Sequence, residues 1–175
     1  AGLGMGGAVA LELLRRAPDR IIRIALIDTS PLAETPQAAA ARELLIVKAR
    51  SGHMSDVMQH EVMPHYLPSG PDKGAIMDLV MDMAETLGPE IYVRQARALQ
   101  RGKDQQAVLR KCKIPALVMC GEFDKINPVK RHSFMAELIP RLTVINGAGH
   151  LPTLERPRQT TAALQDWMGM PFVLQ

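Results

Sequence analysis

Three stretches of this sequence hold residues whose types and spacing suit chemistry. The first, "AGLGMGGAVA", carries Gly2, Gly4 and Gly7 as G-x-G-x-x-G, and an acidic residue, Asp28, closes the next apolar run. Such glycines allow a tight turn at a helix N-terminus that receives a pyrophosphate, with the carboxylate left for a ribose. The same residues also frame G-x-(S)-x-G, the sharp strand-to-helix turn that presents a nucleophile, with Gly4 where a serine is needed. The second stretch, "GEFDKINP", places Asp124 just after an apolar run, and the third, "GAGHLPTLERP", places His150 just after another. An acid and a histidine on neighbouring strand ends can meet, the acid orienting the imidazole and stabilising its charged form. Each residue also has a plainer reading, since Asp ahead of Asn-Pro is a common turn former. In this order, each behind a buried strand and downstream of a glycine turn, the pair is far more specific than either residue alone.

The elements that must position them follow from periodicity and punctuation. A helix is predicted from about Gly6 to Arg16, with Pro18 just beyond it. "RIIRIALID" is short, β-branched and flanked by charge, as a buried parallel strand is. An Ala-rich helix should follow over about 37–50, ended by Ser51 and Gly52. Residues 53–110 contain helical segments and no convincing strand; in "GPEIYVRQARALQRG", Ile91, Gln95 and Ala98 share one face, and Arg94, Arg97 and Arg101 another. Strand signals resume in "IPALVMCG" and "LTVING", with helices expected over about 129–139 and up to about Trp167. Alternating α and β elements imply a parallel sheet with right-handed crossovers, whose functional groups gather at the carboxyl ends of the strands. The expected organisation is an α/β core from 1–30 and 111–175, interrupted by a helical insertion over 31–110. Both readings of the opening glycines need a strand ahead of the turn, so the sequence reads as beginning partway through a domain.

Composition narrows the function classes. The 175 residues are 47% hydrophobic and 22% charged, a balance that suits a globular domain with a buried core. No apolar run approaches the roughly 20 residues of a membrane span, and no export signal is recognisable. The net charge of +3 is scattered and aromatics are only 3%, which argues against nucleic-acid binding. Cys112 and Cys120 fit no metal spacing, and the expectation is a reduced cytoplasmic protein without metal or cofactor. His53, His60 and His65 form no convincing metal set, and Ser30 and Ser133 sit in no turn that would present a nucleophile. Met54, Met58, Met63, Met77, Met81 and Met83 read first as core filling, second as the lining of a plastic apolar pocket. Arg94 and Arg97 read first as a solvated face, second as a guide for a carboxylated substrate.

With "GLGMGG", "IPALVMCGEFDKINP" and "IPRLTVINGAGHLPTLERP" in view, the sequence resembles the α/β-hydrolase superfamily, in the branch of small bacterial esterases and lactonases that includes enol-lactone hydrolases. The resemblance covers nearly the whole chain. It implies the C-terminal portion of that fold, with parallel strands 6, 7 and 8, flanking helices and a helical cap inserted between strands 6 and 7. It makes Asp124 the triad acid, His150 the general base, Gly4 the nucleophile position and the Met5 backbone N–H an oxyanion donor. The implied substrate is a small-molecule ester, lactone or acyl compound, with no cofactor, nucleic acid or membrane.

Two departures from the family pattern shape the expectation. Family members carry serine where this chain has Gly4, and the part of the fold supplying the second oxyanion donor lies outside this sequence. Removing the nucleophile from a serine hydrolase costs on the order of 10⁶ in turnover, leaving roughly 10³–10⁴ over water. Little or no activity is therefore expected. A non-catalytic module of the same fold that binds a small ligand or a partner is the alternative, and a dinucleotide-binding domain a remote one. The bare edge of the expected partial sheet invites pairing with another chain, so the expectation is a homodimer or an aggregation-prone monomer.

Overall fold

The computed structural model describes residues 1–139 and 141–171; Pro140 and the last four residues of the expected core segment lie outside the described residues. The chain divides into two compact units, one formed by Ala1–Leu32 with Asp104–Gln175 and the other by Ala33–Lys103. In chain order the elements are β1 (Gly2–Leu3), α1 (Met5–Arg16), β2 (Ile24–Ile27), α2 (Pro36–Arg50), α3 (Met54–Asp56) and α4 (Lys73–Gln100). They continue with α5 (Gln106–Lys111), β3 (Ala116–Gly121), α6 (Val129–Leu138), β4 (Leu142–Ile145), α7 (Pro152–Glu155) and α8 (Pro157–Met168).

The first unit is built on a four-stranded sheet in the order β1-β2-β3-β4, with every pairing parallel. β2 and β3 occupy its middle, and every residue of "IALI" and "ALVMCG" is buried. Such uninterrupted apolar runs are what a strand covered on both faces requires. Alternate residues point to opposite faces. Ile24, Leu26, Ala116 and Val118 meet Leu11 and Leu14 of α1, Leu109 of α5 and Met135 of α6. Ala25, Ile27, Leu117 and Met119 meet Ala163 and Trp167 of α8.

Two local expectations change. The strand begins only at Ile24, because Pro18–Arg20 forms a 3₁₀ turn and Arg20 to Arg23 lead into the sheet rather than belonging to it. The two residues ahead of the glycine turn, Gly2 and Leu3, pair with Leu26 and Ile27 as a short edge strand. Two residues are too few for a periodic signal.

The second unit is helical. α2 starts at a Thr35 cap, whose side chain accepts the Ala38 N–H, and Pro36 takes the first position, where its missing N–H costs nothing. α3 continues through a π-helical stretch, Val57–Val62, and a 3₁₀ turn, Met63–His65. α4 is two helices run together across Gly88, whose φ of +74° and following Pro89 make the kink. The small core of this unit is Ile46 from α2 with Val93 and Ala96 from α4, flanked by Tyr92. The face expected to hold Ile91, Gln95 and Ala98 is therefore not the buried one; Gln95 and Ala98 are exposed. The kink sets the phase of the second half of α4 against α2, and that packing selects Val93 and Ala96.

Candidate active site

Four loops leave the carboxyl ends of the four strands, and they converge. The first is the glycine turn. Gly4 sits at φ +53° and ψ −117°, between β1 and α1. Its N–H donates to the Ile27 carbonyl at 2.9 Å, and its carbonyl accepts the Thr29 hydroxyl at 2.7 Å. Two neighbouring glycines are fixed by contact. A Cβ on Gly2 would lie 2.1 Å from the Gly6 carbonyl oxygen, and one on Gly7 would lie 2.5 Å from the Thr29 side chain. These glycines serve a sharp turn and a helix pressed onto the sheet.

The direction of the absent side chain at Gly4 is decisive. A Cβ built there lies 3.3 Å from Nε2 of His150. The opposite ring nitrogen of His150, Nδ1, is 3.0 Å from Oδ2 of Asp124. Oδ1 of Asp124 in turn accepts the N–H groups of Ile126 and Asn127, at 2.8 and 3.0 Å. With Nδ1–H given to Asp124, Nε2 is the basic nitrogen, on the side that faces Gly4. Acid, imidazole and elbow are thus aligned, and both Asp124 and His150 are buried. Burial pushes the Asp124 carboxyl up, but the His150 hydrogen bond, its charge and the Asn127 N–H outweigh it and hold Asp124 below the usual carboxylate range. Met5 is the first residue of α1, so its N–H is one of the donors that a helix leaves without an internal partner.

Close approach of the loops that carry Asp124 and His150 rests on Gly121. A Cβ there would fall 1.9 Å from the Gly149 carbonyl oxygen. The His150 loop is held from below by Glu155, which accepts the N–H groups of Gly149 and Leu151 at 2.8 and 3.1 Å. Glu122 holds the same loop further back, accepting the Gly147 N–H at 2.8 Å.

In the sequence, Asp28 closes an apolar run and offers a carboxylate for a ribose. In the structure it is fully buried beside this pair, at a φ of +44°. One ligand-capable atom from each of Asp28, Asp124 and His150 lies within 4.8 Å of the others. Within this group Asp124 and His150 bond directly. Burial first, then the neighbouring Asp124, raises the Asp28 carboxyl to about 9, against a lowering by the Gly121 N–H. Thr29 and His132 were also missed: Nε2 of His132 accepts the Thr29 N–H at 3.2 Å, and burial holds that imidazole below its ordinary value. The only signal for Asp28 and Thr29 was their place just after a buried strand; His132, inside α6, had none.

The other candidates lie apart. His53, His60 and His65 are exposed, as is Ser133, whose hydroxyl donates to the Val129 carbonyl. Met58 and Met63 are buried while Met83 is exposed, so the methionines form no single group. Arg97 is tied to Glu43, and Arg94 makes an exposed ion pair with Glu90 at 3.6 Å. Cys112 and Cys120 are both unpaired thiols. Among the described residues no helix is long and apolar enough to cross a membrane.

A parallel α/β sheet with a glycine elbow, then an acid, then a histidine on successive strand ends defines the hydrolase class of α/β protein. Residues 1–164 match the alpha/beta hydrolase family, and the chain belongs to it. It is 25% identical over 175 residues to a pimeloyl-[acyl-carrier protein] methyl ester esterase of Neisseria meningitidis, covering 95% of this chain and 68% of the relative. Among solved structures it is similar to a thermophilic esterase from Thermogutta terrifontis, with a TM-score of 0.88, 29% identity and coverage of 95% of this chain. An enol-lactonase from Burkholderia xenovorans is also similar, with a TM-score of 0.79, 26% identity and coverage of 97%. The chain spans 62% and 64% of the lengths of these two structures.

Proposed function

We propose that this chain carries the acid–base part of a carboxylic ester or lactone hydrolase, with Gly4 leaving the nucleophile position without an attacking atom. The observation that carries this reading is the line from the Gly4 Cβ direction, 3.3 Å from His150 Nε2, through the ring to Asp124, 3.0 Å from Nδ1. The esterases and the enol-lactonase it resembles support small carboxylic esters and lactones as the substrate class. With a hydroxyl at position 4, His150 would take its proton as it attacks the ester carbonyl, and Asp124 would stabilise the imidazolium. The oxyanion would form beside the Met5 N–H at the positive end of α1, and His150 would return the proton to the departing alkoxide. Water would repeat the sequence on the acyl-enzyme. Without that hydroxyl, ester turnover should be slight or absent, and retention of a small acyl or ester ligand becomes the second reading.

The test compares the chain with its Gly4→Ser variant on p-nitrophenyl acetate. The expected outcome is a rate near background for the chain and a gain of about 100-fold or more in the variant, out of the roughly 10⁶-fold a complete triad owes to its serine. The gain should vanish in Gly4→Ser with His150→Ala. The substitution should also cost about 1–3 kcal/mol of stability, because a side chain at φ +53° is strained. A folded Gly4→Ser protein that stays inactive yet binds a non-hydrolysable ester analogue would favour the binding reading.

A further inference from the structure

The buried carboxyl that the mechanism above does not use is Asp28. Its surroundings and those of Asp124 differ in a way that decides which of the two carries charge. Asp124 receives three N–H donors, from Ile126, Asn127 and His150. Asp28 receives one, the Gly121 N–H at Oδ1 and 2.8 Å, and its Oδ2 is buried with no donor directed at it. The neighbouring group within reach is the Asp124 carboxyl, itself an acceptor. Two acceptors within 4.8 Å of one another, one of them fully buried, are reconciled by a proton between them.

We propose that Asp28 is a positioning residue held as the neutral acid, donating its Oδ2–H to the Asp124 carboxylate and so extending the pair to an Asp28–Asp124–His150 chain. The main chain fixes both ends of this donor. The Asp28 N–H donates to the Met119 carbonyl at 2.9 Å, and the Asp28 carbonyl accepts from the Asn127 side-chain amide at 2.9 Å. The same turn, through Thr29, holds the Gly4 carbonyl, so one short segment after β2 braces the acid and the elbow together.

The proton also sets the charge of the site. One carboxylate, not two, then lies against the His150 imidazole, the arrangement a triad histidine needs. A second negative charge in this buried cluster would be uncompensated. The other titratable groups around Asp28 do not offset such a charge. The Cys120 thiol on β3 is pushed up to about 12 by burial, burial holds the His132 imidazole on α6 below its ordinary value, and the Glu155 carboxylate adds negative potential. This benefit to catalysis rests on the reading of His150 as general base; the protonation of Asp28 does not.

Asp28→Asn mimics the neutral acid, with an oxygen for Gly121 and an N–H for Asp124. The folded state raises the Asp28 carboxyl, so the native chain takes up a proton on folding once the unfolded carboxylate has ionised at about pH 4. The stability associated with that group is complete below about pH 4 and declines until about pH 9, where the folded group ionises. In denaturant titrations, the folding constant of Asp28→Asn relative to the parent should rise by up to about tenfold per pH unit across that window and then level off. A variant-to-parent ratio that is flat from about pH 5 upward would overturn the proposal, since it would place a carboxylate there throughout. Should the variant fail to fold, the carboxyl ¹³C shift of Asp28 in the unaltered chain gives the same answer. A protonated shift persisting through pH 7 is expected, and a carboxylate shift at about pH 6 would overturn it. Neither readout involves turnover, so an inactive Gly4→Ser protein would sink the hydrolase reading and leave Asp28 untouched.

Discussion

The two units of this chain settle their polar side chains in opposite ways. Every buried polar or charged residue among those described belongs to the α/β unit: Asp28, Thr29, Gln105, Asp124, Asn127, His132, His150 and Thr160. Most of these are joined through the strand-end loops to one another or to the elbow. Among its described residues the helical unit fully buries no such residue; its ion pairs are exposed or half-buried, Arg97 with Glu43, Lys48 with Glu61 and Arg42 with Glu34 among them. A buried polar network is satisfied only in one arrangement, so it defines the position of each member. A surface ion pair tolerates many. The geometry of these loops is therefore specified within the α/β unit itself.

The sharpest way to break this contrast is to place the same methyl group in each unit. Gly121→Ala would drive a Cβ to 1.9 Å from the Gly149 carbonyl oxygen, a backbone atom that cannot rotate away. The loss should be about 4 kcal/mol or more, or failure to fold, because the His150 loop must leave β3. Gly74→Ala, near the start of α4, meets nothing within 4 Å. It should stabilise the chain by about 0.5–1 kcal/mol through helix propensity. Denaturant midpoints of the two variants check both signs. Equal effects would mean that the loops are not packed backbone against backbone.

Gly121 also illustrates what was legible in the sequence. β2 and β3 were readable because both faces of each strand are covered, which leaves an unbroken apolar run. Asp124 and His150 were readable as a pair because each follows an apolar run, whereas the glycine turn was readable from its glycines alone, only Gly2 and Leu3 preceding it as strand. The state of Asp28 was not, since it depends on Gly121 and Asp124, far along the chain, and on a burial that only the assembled loops create. The buried face of α4 was misread for a similar reason. Its phase is set by the Gly88 kink and by Ile46 on another helix, so local periodicity pointed to Gln95 and Ala98 instead of Val93 and Ala96. Glu155 was visible in the motif around His150, but its task is a backbone brace, and side-chain chemistry gave no hint of it.

That brace provides the finer comparison, between two glutamates that both accept hydrogen bonds. Glu155 takes the N–H groups of Gly149 and Leu151, on either side of His150, within a buried turn. Glu155→Ala leaves those donors unpaired where the loop packs, and should cost about 1–3 kcal/mol, largely insensitive to salt. Glu43 binds Arg97 and is also approached by Gln100, but both ion-pair partners are more than a third exposed. Solvent and counterions screen such a pair, so Glu43→Ala should shift stability little, and what shift there is should shrink as salt is raised. Melts of the two variants at low and high salt check this. A salt-sensitive loss at Glu155 would mean that its charge, acting at a distance, matters more than the two N–H groups it holds. The loop carrying His150 would then be placed by electrostatics and not by its backbone hydrogen bonds.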